Sequence, residues 1–274
     1  MSALENKIQR INALKNKTID NNFDLFDHNI IKVQNAFLSE VFSFLDVLPK
    51  EAGVIAMTPE NLNIVINSME SLNRSLIEAG YGGLIDEYIT VSNDLIKYTR
   101  NTFAITGIDT AFTEKDVKTL HMIQSNISNK FNVIGQNAVR TVVDNLQQAV
   151  MGNTTYKDLA KNLTDTIIGT DKKGGLLKRY ANVYAHDAMI EMDRGINLMA
   201  ANNFDAEYFL YSGPVDQVTR DFCAEHAGKV YTKDAINNMS NGVGTDVWTH
   251  CGGYNCRHTW LPVSKTMLDE FSRG

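Results

Sequence analysis

Hydrophobic residues recur at helical spacing through roughly the first two hundred positions. The clearest case is TPENLNIVINSMESLNRSLIEAGYGG, residues 58–83. Thr58 can cap a helix, Pro59 suits its first turn, and Gly80 would end it. The apolar positions fall on one stripe: Leu62, Val65, Ile66, Met69, Leu72 and Leu76. The pattern predicts one amphipathic helix.

Other segments carry the same signals. LIDEYITVSNDLIKYTRNTF, residues 84–103, predicts a second helix. Its expected buried positions are Ile85, Ile89, Leu95, Ile96 and Phe103. Thr113 and Asp116 form a loose capping box at the start of a third helix. A similar start at Thr155 predicts a helix ending at Gly169, and a last long helix is expected to end near Asn202.

The pattern changes after the last helix. FDAEYFLYSGPVD, residues 204–216, alternates bulky with small or polar residues before a Gly-Pro turn, which predicts a strand. GKVYT, residues 228–232, and RHTWLPVS, residues 257–264, are short and β-like. NNMSNGVGTD, residues 237–246, is rich in Gly and Asn and predicts a loop.

The expected fold is therefore α+β and mostly α. A long helical N-terminal and middle region precedes a small, irregular, β-containing module. We divide the chain into an N-terminal helical region, residues 1–112, a second helical part, residues 113–203, and the Cys-His module, residues 204–274. This module has few apolar runs, and small modules with thin cores often need a metal to hold them together.

Composition and charge narrow the function classes. The 274 residues are 43% hydrophobic and 21% charged, as in globular proteins. A net charge of −6 argues against binding driven by nucleic-acid phosphates. The densest basic segment, DKKGGLLKR at residues 171–179, is most simply a solvated loop. The sequence shows neither a signal peptide nor an apolar run long enough for a membrane span, so we expect the chain to be intracellular at synthesis.

Cysteine and histidine are concentrated near the C-terminus. All three cysteines follow residue 220. The candidate ligands are Cys223, His226, His250, Cys251, Cys256 and His258. Zinc prefers four such donors arranged as a tetrahedron, often two from each of two turns. The two clusters, separated by a loop, predict a structural zinc site.

Other interpretations of these residues stay open. The thiols can be buried small residues, with the histidines as ordinary polar groups, or Cys223 and Cys256 can form a disulfide. A Cys-His nucleophile and an HNH-type nuclease lack supporting motifs. A zinc deaminase or H-E-x-x-H protease pattern is absent. Hydrolytic metal chemistry would need a carboxylate base, for which Glu225 and Asp246 are the nearby candidates.

Two further features flank the cysteines. In YSGPVDQVTRDFC, Asp216 and Arg220 either tie the turn to the metal loop by charge-assisted hydrogen bonds or form an ordinary exposed polar turn. Trp248 and Trp260 either fill the core of a small module or provide a contact surface; core filling is favoured.

VDQVTRDFCAEHAGKVYT and GGYNCRHTWLPVS together resemble the C-terminal signature of phage head morphogenesis proteins, the minor head (minor capsid) proteins of the Mu F type. The matching positions are Asp216, Thr219, Arg220, Cys223, Gly228, Lys229, Val230, Cys256, Arg257, His258 and Pro262. The resemblance covers roughly residues 117–265, and residues 1–115 carry no motif of the family.

The resemblance implies that Cys223, Cys256 and His258 bind the metal. Family members often have a histidine where this chain has Gly253. We predict His250 as the fourth ligand, with His226 and Cys251 as the alternatives.

The resemblance also implies a non-enzymatic protein of the virion, present in few copies near the portal vertex. Such a protein acts in head assembly and in DNA packaging or ejection. Expected partners are the portal and capsid proteins, with homo-oligomers and weak contact with packaged DNA left open. The alternative function is a metal-dependent hydrolase, nuclease or toxin-like enzyme delivered with the genome.

Overall fold

The computed structural model describes residues 3–106, 113–254, 256–265 and 268. Its first helices are α1 (Ala3–Asp46), α2 (Pro59–Ile66), α3 (Ser68–Glu78), α4 (Tyr81–Thr90), α5 (Ser92–Ile105), α6 (Glu114–Met151) and α7 (Tyr156–Ile167). A short ribbon of β1 (Gly169–Thr170) and β2 (Lys173–Gly174) leads into α8 (Leu176–Asn203). The remaining elements are β3 (Tyr208–Ser212), α9 (Asp221–His226), β4 (Val230–Thr232), α10 (Lys233–Asn237), α11 (Val247–His250) and β5 (Thr259–Val263). The predicted α+β, mostly helical class is confirmed.

The predicted helix over residues 58–83 is divided into α2 and α3. Thr58 caps α2, since its hydroxyl accepts a hydrogen bond from the Asn61 amide at 3.2 Å. The break falls at Asn67, whose side-chain amide donates to the Asn63 carbonyl at 2.8 Å. Ser68 Oγ donates to the Val65 carbonyl at 2.7 Å. These side chains satisfy carbonyl groups where the helix is interrupted.

The break at Asn67 changes which apolar residues of the predicted stripe are buried. Leu72 and Leu76 are buried as predicted, whereas Ile66 is 68% exposed. The second predicted helix is divided in the same way, into α4 and α5, at Val91. The single-helix predictions were wrong at these two points.

The predicted capping box at Thr113 and Asp116 is confirmed, and Thr155 caps α7 as predicted. The Thr113 amide donates to Asp116 Oδ2 at 2.7 Å, and the Asp116 amide donates to Thr113 Oγ1 at 3.4 Å. At the start of α7, Thr155 Oγ1 accepts from the Asp158 amide at 3.1 Å. Short polar side chains thus satisfy amide groups that the first turn of a helix leaves unpaired.

The chain forms two compact units, each built from separate segments. One contains Met1–Asn22, Thr90–Asn126 and His186–Gly274, and the other contains Phe23–Ile89 and Ile127–Ala185. The predicted boundaries at residues 112 and 203 stay predictions. Neither compact unit begins or ends at these positions, because each unit combines segments that are distant in the sequence.

The second unit has an aromatic core. Phe26 lies 4.8 Å from Tyr88 and 5.4 Å from Phe131, measured between ring centroids. Tyr184 makes an edge contact with Phe131 at 4.8 Å. The basic segment predicted as a loop also lies here. It contains the turn after β1, then β2 and the start of α8, with Lys178 Nζ 3.2 Å from Asp27.

The first unit contains the predicted C-terminal sheet. Its strand order is β4-β3-β5, with both pairs antiparallel. Tyr211 is opposite Trp260, and Phe209 is opposite Pro262. Proline is tolerated in β5 because this strand lies at an edge of the sheet.

Both faces of the sheet are covered. On one face, Leu210 and Leu261 pack with Ile8 from α1. On the other, Tyr211 and Trp260 pack with the short helices after β4. The expected thin core is therefore reinforced by the N-terminal helix, and this module does not rely on its own apolar residues alone.

Candidate metal centre

The two Cys-His clusters converge at one buried group. Cys223 lies in α9, whereas Cys256 and His258 lie on the segment that enters β5. The ligand atoms of these three residues all lie within 4.8 Å of one another. The two sulfurs are 3.4 Å apart, and Cys256 Sγ is 3.7 Å from His258 Nδ1.

These distances suit a tetrahedral metal ion. With Zn–S bonds of about 2.3 Å and Zn–N bonds of about 2.0 Å, a tetrahedral ion separates two sulfurs by about 3.8 Å and a sulfur from a nitrogen by about 3.5 Å, each within about 0.4 Å of the distance seen here. A disulfide is excluded as a description of this arrangement, because an S–S bond is about 2.05 Å long. All three cysteines are free thiols. Two sulfurs and one nitrogen form a donor set that could hold a metal ion.

Polar contacts hold the two metal-binding segments together. Arg257 Nη2 lies 2.5 Å from Asp216 Oδ2. Arg220 Nη2 donates to the Tyr254 carbonyl at 2.7 Å. Asp216 and Arg220 therefore tie the turn before α9 to the loop before β5, as one of the two interpretations of this cluster predicted.

Close approaches around the donors leave no room for larger residues. A Cβ atom on Gly252 would lie 2.2 Å from Cys223 Sγ, and one on Gly213 would lie 2.5 Å from the His258 ring. The His258 ring also stacks against Tyr211 at a centroid distance of 5.1 Å. The Tyr211 hydroxyl lies 3.3 Å from Cys223 Sγ. These contacts fix the orientation of both the imidazole and the thiol.

A buried arginine in α8 shapes the metal loop. Arg194, which is 4% exposed, donates to three backbone carbonyls: Cys256 at 2.6 Å, Thr249 at 2.7 Å and His258 at 3.2 Å. Sequence analysis missed this residue. The available signal was a charged residue between Met192 and Ile196, two apolar positions of α8 that are themselves buried.

The electrostatics favour a thiolate at Cys256. A hydrogen bond from Cys223 is the largest contribution lowering the pKa of Cys256, and His258 and the positive charge of Arg194 lower it further. The same hydrogen bond, together with burial, raises the pKa of the Cys223 thiol. Since metals bind the deprotonated sulfur, one of the two cysteines is already suited to metal binding.

The remaining predicted ligands lie outside this group. His250 Nδ1 is 2.9 Å from the Thr249 hydroxyl, and its Nε2 is 3.8 Å from Glu191 Oε1. The structure thus brings together three of the four predicted ligands and places His250 beside other partners. Its assignment as fourth ligand stays a prediction.

The two alternatives to His250 also have other surroundings. Cys251 is fully buried, and burial raises its pKa to about 12. It fits the interpretation of a thiol as a small core residue. His226 Nδ1 is 2.8 Å from the Tyr231 hydroxyl, and burial lowers its pKa.

The two tryptophans contribute to the core beside the metal group. Trp260 is 4% exposed, and its indole N–H donates to the Val247 carbonyl at 3.0 Å. Trp248 makes an edge contact with Phe209 at 4.8 Å. The favoured interpretation, core filling, is confirmed.

Comparisons with protein families, curated proteins and solved structures found no match to the chain. The resemblance to phage head proteins therefore rests on the signature residues alone. Among the helices that the structure describes, none combines the length and apolarity needed to cross a membrane.

Proposed function

We propose that the chain is a phage minor head protein whose C-terminal module contains a structural zinc ion. Cys223, Cys256 and His258 would hold this ion. The observation that carries the proposal is the meeting of both halves of the signature in one buried Cys-Cys-His group. The ion would join α9 to the segment that enters β5 and stabilise the fold of both.

The other signature residues have structural roles beside the same group. Asp216 binds Arg257, one residue from each half. Gly228 has a φ of +79°, which favours glycine, and its amide donates to the Tyr211 carbonyl at 2.8 Å. Val230 pairs with Leu210 in the sheet. Such roles support the resemblance because they explain why these residue types occur together.

The proposed partners are the portal and capsid proteins. A net charge of −6 suits protein partners better than packaged DNA. The helices also expose large apolar side chains, among them Ile66 and Ile77 at 68% and 63% exposure. We propose a low-copy position near the portal vertex, with homo-oligomers and weak DNA contact left to experiment.

The alternative is a hydrolytic or toxin-like metal enzyme. It requires a carboxylate base close to an open metal position. Asp246 instead caps α11, accepting from the Thr249 amide at 2.8 Å and the Thr249 hydroxyl at 2.7 Å. The three donors are all buried. These features favour the structural proposal.

The head-protein proposal is tested with phage particles produced from the genome that encodes this chain. Quantitative mass spectrometry of purified particles should detect the chain at far fewer copies than the major capsid protein. Mutants lacking the chain should form defective heads or heads that fail to deliver DNA. Particles without the chain, together with normal infectivity of the mutant, would contradict the proposal.

A further inference from the structure

His258 also lines a small cavity. This cavity of about 20 Å³ is also lined by Asp193 from α8. Among the residues that the structure describes, none forms a hydrogen bond with His258 Nε2 or Asp193 Oδ1, although both atoms are buried and each residue is only 4% exposed. Buried polar atoms are almost always hydrogen-bonded, so this pair of atoms needs an explanation.

The partners of Asp193 leave one carboxylate oxygen for the cavity. Lys15 Nζ lies 2.7 Å from Asp193 Oδ2, and Asn197 Nδ2 donates to the same oxygen at 3.4 Å. Oδ1 receives neither of these bonds. As a carboxylate in an ion pair, Asp193 can only accept hydrogen bonds.

Neighbouring side chains fix the orientation of the His258 ring. Nδ1 lies 3.7 Å from the sulfur of Cys256, and the ring is restricted by stacking on Tyr211 and by the close approach of Gly213. Nε2 therefore points away from the proposed metal position. A neutral imidazole whose Nδ1 binds a metal carries its proton on Nε2 and needs an acceptor there.

We propose that Asp193 is a positioning residue for the metal ligand His258. Its Oδ1 accepts the Nε2 proton of His258 through one water molecule in the cavity, whose volume suits a single water. This contact keeps the imidazole in the tautomer whose Nδ1 lone pair faces the metal. The inference deepens the proposed function and rests on the zinc site.

The test separates this role from the ion pair with Lys15. Lys15→Met/Asp193→Leu replaces both charges with apolar groups, a change that buried ion pairs often tolerate. Lys15→Met/Asp193→Asn also removes both charges but retains an oxygen acceptor at residue 193. Zinc affinity of the full chain is measured by competition with a chromophoric chelator.

We expect the Leu variant to bind zinc about 10–100-fold more weakly than wild type, the usual cost of losing such a partner. The Asn variant should recover most of that loss. In a His258→Cys background, the same Leu change should have less than about a threefold effect, since a thiolate ligand has no second nitrogen. Nitrogen NMR of His258 should show Nε2 protonated and its signal displaced in the Leu variant only.

Equal losses of zinc affinity in the wild-type and His258→Cys backgrounds, or no loss of zinc affinity in the Lys15→Met/Asp193→Leu variant, would overturn the role of Asp193. Either result would leave the zinc site intact. A folded wild-type chain that binds no zinc would contradict the zinc site and, with it, this inference.

Discussion

Arg194 determines the shape of the loop that carries two of the candidate metal ligands. A guanidinium group presents five N–H donors in a fixed plane, so one side chain can bind several carbonyls at once. Cys256, His258 and Thr249 provide those carbonyls. The positive charge also lowers the pKa of Cys256, so the residue that orients the loop favours the thiolate as well.

Arg194→Lys should therefore destabilise the unit that contains the metal group. A lysine cannot reach the three carbonyls together, and buried acceptors would lose charge-assisted bonds, so the free energy of unfolding should fall by about 3 kcal/mol. Urea unfolding measures this change. The control is Arg257→Lys, at the partly exposed pair with Asp216, which should cost less than about 1 kcal/mol. Equal costs for the two substitutions would contradict the role given to Arg194.

At the scale of elements, short polar residues decide where the helices begin. Thr113 and Asp116 bind each other's amide groups at the start of α6, and both residues are local in sequence. This is why the capping boxes were readable from the sequence. The breaks at Asn67 and Val91 were not, because the apolar stripe continues through both positions and only the folded side chains reveal the interruption.

Thr113→Ala should loosen the first turn of α6 by about 1 kcal/mol, the typical value of an N-cap. Native-state hydrogen exchange of the amides in that turn provides the measurement. Thr119→Ala, inside the same helix, is the matched control, since alanine is the better helix former there and should cost nothing. A Thr113 effect no larger than that of Thr119 would show that the capping box does not stabilise α6.

The sequence predicted the part of the candidate site that lies in two short segments of the chain. Cys223, Cys256 and His258 are distinctive residue types in two short segments, so their meeting could be inferred. Arg194 binds backbone carbonyls and Asp193 lines a cavity with His258, and these neighbours are distant from both residues in the chain. No spacing rule relates such residues, which explains why sequence analysis missed them.

At the scale of the whole molecule, the metal module and the N-terminal helix share one compact unit. Asn12 Nδ2 donates to Ser212 Oγ at 2.7 Å, and Ile8 packs against β3 and β5. The Lys15–Asp193 ion pair lies in the same unit. Disruption of the Cys-Cys-His group should therefore affect more of the chain than its C-terminal residues.

Cys256→Ser should unfold the module around β3, β4 and β5 because it removes a central donor and weakens zinc binding. Amide hydrogen exchange should increase in these strands and in the turns of α1 around Ile8 and Asn12. The helices of Phe23–Ile89 should keep their protection, as that segment belongs to the other unit. Protease resistance of residues 204–265 equal to that of wild type would contradict this prediction.

The most direct test of the zinc site is the metal content of the full chain purified without added metal or chelator. Elemental analysis should find about one zinc ion per chain, and removing it should expose Cys223 and Cys256 to thiol reagents. A folded chain with no metal, and with both thiols equally reactive before and after chelation, would contradict the account. The Cys-Cys-His group would then be a cluster of buried core residues.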